Sequence, residues 1–438
     1  MSLFFESYLA PLVNERSNIV RGRVFLKERK EFSKSGEEDL LSVSEYSGVT
    51  KRSDNLGDGE YLSRAETLEG YRKVQKNDLV MNYMLAWKGA LGVSDIEGIT
   101  SPAYSVFLIN SEYAEARFIH ALFRSELFHA YFRTESTGII ESRLRLYPEA
   151  LMSLKMVLPP LNEQQDIATK IDHETTRIDA LIEKKTRFIE LLQEKRQAMI
   201  TQAVTKGLDP DAKLKDSGVE WLGQVPEHWE IKRLQFLCTG VKAGPFGSSL
   251  TKDMYVSTGY RVYGQEQVIP GDFSIGDYYI SPEYYSELSQ YAVSPGDILI
   301  SCVGTFGKIA VVPEDVEPGI INPRLIRIRV NKTVSPLYLT TLLRSGVVSE
   351  QFALWSRGGT MDIINIGILA NIVLAIPPLN QQHSILSFLG FENTHIDNLI
   401  QKNEHSIDLL KERRSALITA AVTGQIDLRE VPHEPDPS

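Results

Sequence analysis

Apolar side chains recur at alternating steps of four and three along two stretches of the chain. In the first they are Ile178, Ile182, Ile189, Leu192, Met199 and Ala203, and in the second Ile396, Ile400, Ile407, Leu410, Leu417 and Ala421. That is a coiled-coil period, and it predicts two long helices packed on each other along this seam. The seam is interrupted at matching places, by Lys185 and Asn403 and by Arg196 and Arg414. Polar seam residues cost stability but fix register and partner choice. Pro159-Pro160 and Pro377-Pro378 forbid a helix before them and suit its entry. At about 1.5 Å per residue, a helix of roughly 43 residues runs about 65 Å.

The two stretches are copies. Residues 158–209 align on 376–427 without a gap, and 25 of the 52 positions are identical. Such self-similarity marks an internal repeat. Before each copy the pattern changes to short β-rich runs between turn signals. In residues 1–157 these are Leu40–Ser44, Asp78–Asn82 and Ala103–Phe107, followed by one helical stretch from Ala114 to Phe132 with Phe118, Ala121, Leu122 and Phe128 on its apolar side. In residues 229–375, Gly296–Ser301 matches Asn77–Asn82, Asn322-Pro323 stands where Ser101-Pro102 does, and Arg324, Arg327 and Arg329 follow. A glycine turn, Gly138 or Gly358-Gly359, closes each part before the next Pro-Pro. The expected fold class is α+β, with two β-rich domains alternating with two long helices that pair along their seam in a pseudo-twofold repeat. The expected boundaries are 1–157, 158–209, a connector 210–228, 229–375, 376–427 and a tail 428–438.

Composition narrows the function. The chain has 438 residues, 42% hydrophobic and 24% charged, which is ordinary for a globular protein of two or three domains. Cys238 and Cys302 stand alone without metal-type spacing, so neither a disulfide framework nor a metal site is expected. No apolar stretch reaches the length of a bilayer, and the first residues lack a basic segment leading into an apolar run, so a cytoplasmic protein is expected. The net charge of −10 is unevenly spread. Residues 1–157 carry 20 basic and 22 acidic side chains and residues 229–375 carry 12 and 13, so the acidity lies mostly in the repeat-bearing segments. A DNA-binding face on either β-rich part is compatible with that distribution.

Several motifs together resemble one family. They are SGVEWLGQVPEHW at 217–229, GPFGSSL at 244–250, GDILISCVGTFGKIAVV at 296–312, LSVSEYSGVTKR at 41–52 and the paired Pro-Pro-Leu-Asn helices. The chain is similar, over nearly its whole length, to the DNA-specificity (S) subunit of type I restriction–modification systems. One departure is at the start, where MSLFFESYLAPLVNER does not match the SGVEWLG lead-in that the 218-residue offset would place there. The resemblance implies a non-catalytic subunit whose β-rich domains are target-recognition domains. Each would read one half of a bipartite sequence in double-stranded DNA, while the helices, paired as an antiparallel coiled coil, hold the domains apart and dock two methyltransferase (M) subunits. Restriction/translocase (R) subunits complete the implied complex. No cofactor is expected on this chain; S-adenosylmethionine, ATP and Mg are expected on the partner subunits.

Two other classes match the sequence less well. Ile321-Asn322-Pro323-Arg324-Leu325 faintly matches the Asn-Pro-Pro-aromatic signature of a stand-alone adenine methyltransferase, but it lacks the second Pro and the aromatic that stacks on an extruded base. A coiled-coil scaffold without DNA binding accounts for the acidic helices and leaves two repeated domains without a purpose. For DNA contact, the side chains able to meet phosphates or base edges are Tyr46, Thr50, Lys51, Arg52, Arg143 and Arg145 in the first domain. Arg143 and Arg145 are spaced to share one strand face. In the second domain they are Lys242, Ser248, Ser249, Tyr263, Gln265, Arg324 and Arg357. Gln265 is suited to paired hydrogen bonds with adenine, and Arg357 beside two glycines to a phosphate or a guanine.

Overall fold

The computed structural model describes residues 3–12, 17–45, 47–55, 67–302, 307–356 and 366–426. The chain divides into two compact units, Met1–Thr186 with Glu404–Ser438, and Arg187–Asn403.

In the first unit a four-stranded antiparallel sheet runs in the order Leu26–Glu28, Ser105–Ile109, Leu79–Met81, Leu91–Val93. Its central strand is buried on both faces, as period-two alternation requires when both sides are covered. Leu79 and Met81 face a large core with Phe107, Phe118, Phe123, Phe128 and Phe132, while Val80 and Val106 face a smaller one with Leu41, Val43, Val49 and Val74. The single helix expected over 114–132 is two, Ala116–Phe123 and Glu126–Glu135. Ser125 breaks it, because its hydroxyl donates back to the Leu122 carbonyl and accepts from the Phe128 amide as an N-cap. The short helical turn Phe5–Leu9 buries Phe5 and Leu9 in the large core.

The second unit repeats the sheet order with Cys238–Ala243, Leu325–Val330, Ile298–Ser301 and Ile309–Val311. Between its first and last strands in sequence it adds a four-stranded mixed sheet, in which Tyr260–Tyr263 pairs in parallel with Gly319–Ile321. One anchor recurs in both units. Asp78 accepts from the amide of Gln75 at 2.8 Å and Asp297 from that of Ser294 at 2.9 Å. Each buried carboxylate also meets a guanidinium, Arg29 Nε at 2.7 Å in the first unit and Arg329 Nε at 2.9 Å in the second. The two arginines come from different places in the repeated sheet, Arg29 directly after its first strand and Arg329 on its second.

The long helices are Leu161–Lys206 and Leu379–Val422, each starting directly after its Pro-Pro. A glutamine four positions after the second proline ties each start to the domain before it. Gln164 donates to the carbonyls of Tyr113 (3.1 Å) and Pro159 (2.9 Å) and accepts from the Glu115 amide. Its repeat partner Gln382 donates to the carbonyls of Thr333 (3.0 Å) and Pro377 (2.9 Å) and accepts from the Ser335 amide. Within the first unit, Ala168 and Ile171 share a core with Ala421 and Val422, and Asp179 pairs with Arg414 Nε at 2.9 Å. Within the second, Ala203 and Val204 share a core with Ile385 and Leu389, and Arg196 pairs with Asp397. In each unit one helix advances as the other retreats, so the helices pack antiparallel. Along the seam Ile178, Leu192, Ile396 and Ile407 are buried, and Ile182, Ile189, Met199, Ile400, Leu410 and Leu417 half-buried. The interrupting Lys185, Arg196, Asn403 and Arg414 are half-buried too.

Candidate nucleic-acid interface

In the first unit the strands Leu41–Ser44 and Gly48–Lys51 form a hairpin with Ser42 opposite Thr50 and Leu41 opposite Lys51. Leu41, Val43 and Val49 are buried against the sheet, which turns Ser42, Ser44 and Thr50 to the opposite, half-exposed face. The hydroxyls of Ser42 and Thr50 lie 3.3 Å apart. Lys51 Nζ is 2.6 Å from Asp39, and that contact raises its pKa. Arg52 follows as an exposed side chain on a backbone held by its amide bond to the Leu40 carbonyl. It lies near Tyr104, whose phenol burial pushes up while the guanidinium pulls it down. Thr50, Lys51 and Arg52 are thus brought together at one end of the hairpin. Tyr46 lies outside the described residues.

Arg143 and Arg145 do not share a strand face. Arg143 is exposed at the end of the short turn Glu141–Arg143, whereas Arg145 exchanges two 2.9 Å backbone hydrogen bonds with Thr137. Gly138 is the reason: a Cβ there would meet the Arg143 carbonyl oxygen at 2.5 Å, so only glycine lets the segment fold back so closely.

In the second unit the candidates gather around the Asn322-Pro323 turn. A Cβ on Gly244 would lie 1.9 Å from the Asn322 carbonyl oxygen, and one on Gly264 would lie 2.6 Å from its Nδ2. The two glycines therefore let the 244–249 loop and the residue before Gln265 close on this turn. Gln265 Nε2 donates to Ser301 Oγ at 2.6 Å, and its Oε1 accepts from Arg324 Nη1 at 3.5 Å. Arg324 is exposed, its amide held by Asn322 Oδ1 at 2.9 Å. Ser249 is exposed at the end of the turn Gly247–Ser249; the side chain of Ser248 and all of Arg357 lie outside what is described. Lys242 sits on the strand leading into the loop, its Nζ on Gln290 Oε1 at 2.7 Å and 5.3 Å from the Tyr291 ring centre.

Tyr263 has a different place. It is fully buried, donates its hydroxyl to the Glu317 carbonyl at 2.7 Å, and is pushed up to about 12 by burial. It packs behind the turn and not on its surface, because the run Tyr260–Tyr263 is a strand between two others. Arg327 and Arg329 are likewise turned inward onto Asp297 and the Ala292 carbonyl. Phe246, which sequence reasoning passed over, is 68% exposed on the loop between Gly244 and Gly247. A large apolar ring flanked by glycines in an otherwise polar motif was the signal for it. Among the described residues no group of three or more His, Cys, Asp or Glu converges as a metal site would, and no helix is long and apolar enough to cross a membrane. Both surfaces offer hydroxyls, cations and, in the second unit, an amide and an exposed ring, the groups that meet phosphates and base edges.

Residues 226–409, which include this second surface, match the family model for the type I restriction modification DNA specificity domain. This stretch is similar to a type I DNA specificity domain. Beyond it, the chain resembles type I specificity subunits. It is 23% identical over 297 residues to the EcoBI specificity subunit of Escherichia coli, covering 66% of this chain and 62% of that one. It is 25% identical over 282 residues to the putative MjaX specificity subunit of Methanocaldococcus jannaschii, covering 64% and 61%. The chain thus spans about three fifths of the length of these two relatives. With the EcoKI specificity subunit of Escherichia coli K12 the identity is 20%, over 98% of this chain and 92% of that one. The fold is shared with a chain solved in a study of complex assembly and conformational transition of the type I R-M system (TM-score 0.70, 17% identity, 94% and 99% covered). It is shared also with the HsdS subunit from Thermoanaerobacter tengcongensis (TM-score 0.56, 19% identity, 94% and 98% covered). The mixed helix-and-sheet fold is thus one that those two solved chains also have.

Proposed function

We propose that the protein is the sequence-specific DNA-binding subunit of a type I restriction–modification complex. Its two β-rich parts, 1–157 and 229–375, each read one half of a bipartite target. The outward faces of the paired helices dock two methyltransferase subunits, and restriction/translocase subunits join that assembly in the cytoplasm. The chain performs no chemistry itself; S-adenosylmethionine, ATP and Mg belong to the partners.

The observation that carries this reading is the duplication itself. Each β-rich part ends on its own glutamine clamp and Pro-Pro helix, with Gln164 and Gln382 in equivalent bonds. Two copies of one scaffold with differing exposed residues suit two related but unequal DNA halves. The test is to replace residues 229–375 with the equivalent part of a relative and sequence the methylome of a host carrying the complete system. One half of the methylated motif is expected to change and the other to persist; change in both halves, or in neither, refutes the reading.

A further inference from the structure

We infer that Arg124 is a positioning residue that seats the hairpin carrying Thr50, Lys51 and Arg52, and thereby sets discrimination at one half of the target. This rests on the proposed reading of DNA by the first β-rich part. Arg124 follows the helix Ala116–Phe123 and points its guanidinium under the hairpin turn. Nη1 donates to the carbonyls of Gly89 (2.9 Å), Leu91 (3.0 Å) and Ser44 (3.4 Å), and Nη2 to that of Glu45 (3.2 Å). One side chain therefore ties a helix end and a sheet strand to the turn of the hairpin. The fit is close: Gly48 has φ +72°, and a Cβ there would lie 3.4 Å from Arg124 Nη1 and 3.5 Å from His120 Cε1. A Cβ on Gly92 would lie 3.3 Å from the same His120 atom and 3.5 Å from the Gly48 Cα.

The repeat separates the scaffold part of this arrangement from the added part. Arg344 follows the helix Pro336–Leu343 as Arg124 follows its own, and donates to the carbonyl of Ile309, the counterpart of Leu91. The bond to the sheet strand is thus common to both units. The bonds to Ser44 and Glu45 belong to the first unit, because the second builds its mixed sheet where the first has the hairpin. A two-stranded hairpin has little stability of its own, and here its own ladder is only four residue pairs long. The rigid five-donor fork of arginine suits several carbonyls at once, which the single ammonium of lysine does not.

The test uses the full chain assembled with its methyltransferase subunits. The probes are a duplex bearing the motif read from the host methylome and two versions with one half scrambled. Arg124→Gln, Arg124→Lys and Arg52→Ala are compared by competition binding, with melting of each assembly recorded. Arg124→Gln is expected to reduce discrimination about tenfold at the half that Arg52→Ala also weakens, leaving the other half unchanged, without rescue by Arg124→Lys. If Arg52→Ala weakens one half and Arg124→Gln weakens neither, or both equally with lower melting, the positioning role is overturned while the reading of the hairpin stands. If Arg52→Ala affects neither half, the reading falls and the role with it. Should Arg124→Gln fail to fold, Gly48→Ala, which strains the left-handed backbone of the turn seated on the same guanidinium, must give the same one-sided loss; full discrimination in that variant overturns the proposal.

Discussion

The two long helices keep 25 of 52 positions identical, whereas the β-rich parts before them keep a sheet order and a few anchors. The difference follows from what each region touches. A seam residue on one helix faces the other copy, so a change there disturbs two elements, and the cross-pairs Asp179–Arg414 and Arg196–Asp397 show the same two positions used in both directions. The outward residues of the hairpin, such as Thr50 and Arg52, and Arg324 on the Asn322 turn have no such second element to satisfy. Conserved contacts inside the β-rich parts are accordingly those to backbone groups: Asp78 and Asp297, Arg124 and Arg344.

Three measurements sharpen or break this comparison. The largest effect is expected from the glutamine clamps. Gln164→Ala and Gln382→Ala each leave one amide and two carbonyls of partly buried backbone without their partner, a loss of about 3 kcal/mol. Chemical denaturation should show losses of similar size for the two; a loss for one alone would mean the junctions are not equivalent. The next effect is confined to the first unit. Desolvation, reinforced by the Arg124 charge, pushes His120 down to about 4, and its Nδ1 accepts from the Val93 amide at 3.1 Å. A group held neutral in the fold but protonated when unfolded makes stability fall as pH drops from about 6.5 to about 4, by at most about 2–3 kcal/mol. His120→Asn, whose Oδ1 can take the place of Nδ1, should flatten that slope, leaving the part due to His129, which desolvation also pushes down. The second unit has Thr340 at the corresponding helix position and should show no such difference on Thr340→Val. An unchanged slope in His120→Asn would discard this account. The smallest effect is the pair of helix clamps: double-mutant cycles on Asp179–Arg414 and on Arg196–Asp397 should each give coupling below about 1 kcal/mol, since both pairs are largely solvated. Unequal couplings would break the repeat at its best-matched region.

The helices, their seam and their pairing were legible because a coiled-coil period is a local pattern that survives without tertiary information. The strand Leu79–Met81 and its repeat Ile298–Ser301 were legible as short apolar runs. Gln164 and Gln382 were visible as a repeated letter, yet their role was not, since the carbonyls of Tyr113 and Thr333 they hold lie about 50 residues earlier. Arg124 was hidden for the same reason: its partners are backbone oxygens, and no side chain in the sequence announces them. Tyr263 stood in an aromatic-rich run whose strand alternation gives no sign of burial on both faces. The pair Arg143 and Arg145 had strand spacing, and the turn closed at Gly138 overrode it.

The repeated aspartate carries a consequence for how such chains can diverge by exchange of gene segments. Asp78 and Arg29 both lie before the first Pro-Pro, and Asp297 and Arg329 both lie between the connector and the second. Crossovers at the helix junctions therefore carry each buried carboxylate together with its own guanidinium. A crossover between residues 29 and 78, joining a sequence that supplies its arginine from the other strand, would strand an ionised aspartate in a dry site at a cost of about 3–5 kcal/mol. Hybrids that survive should have their breakpoints gathered at the prolines and cleared from the interior, so that inheritance itself proceeds in units of one clamp.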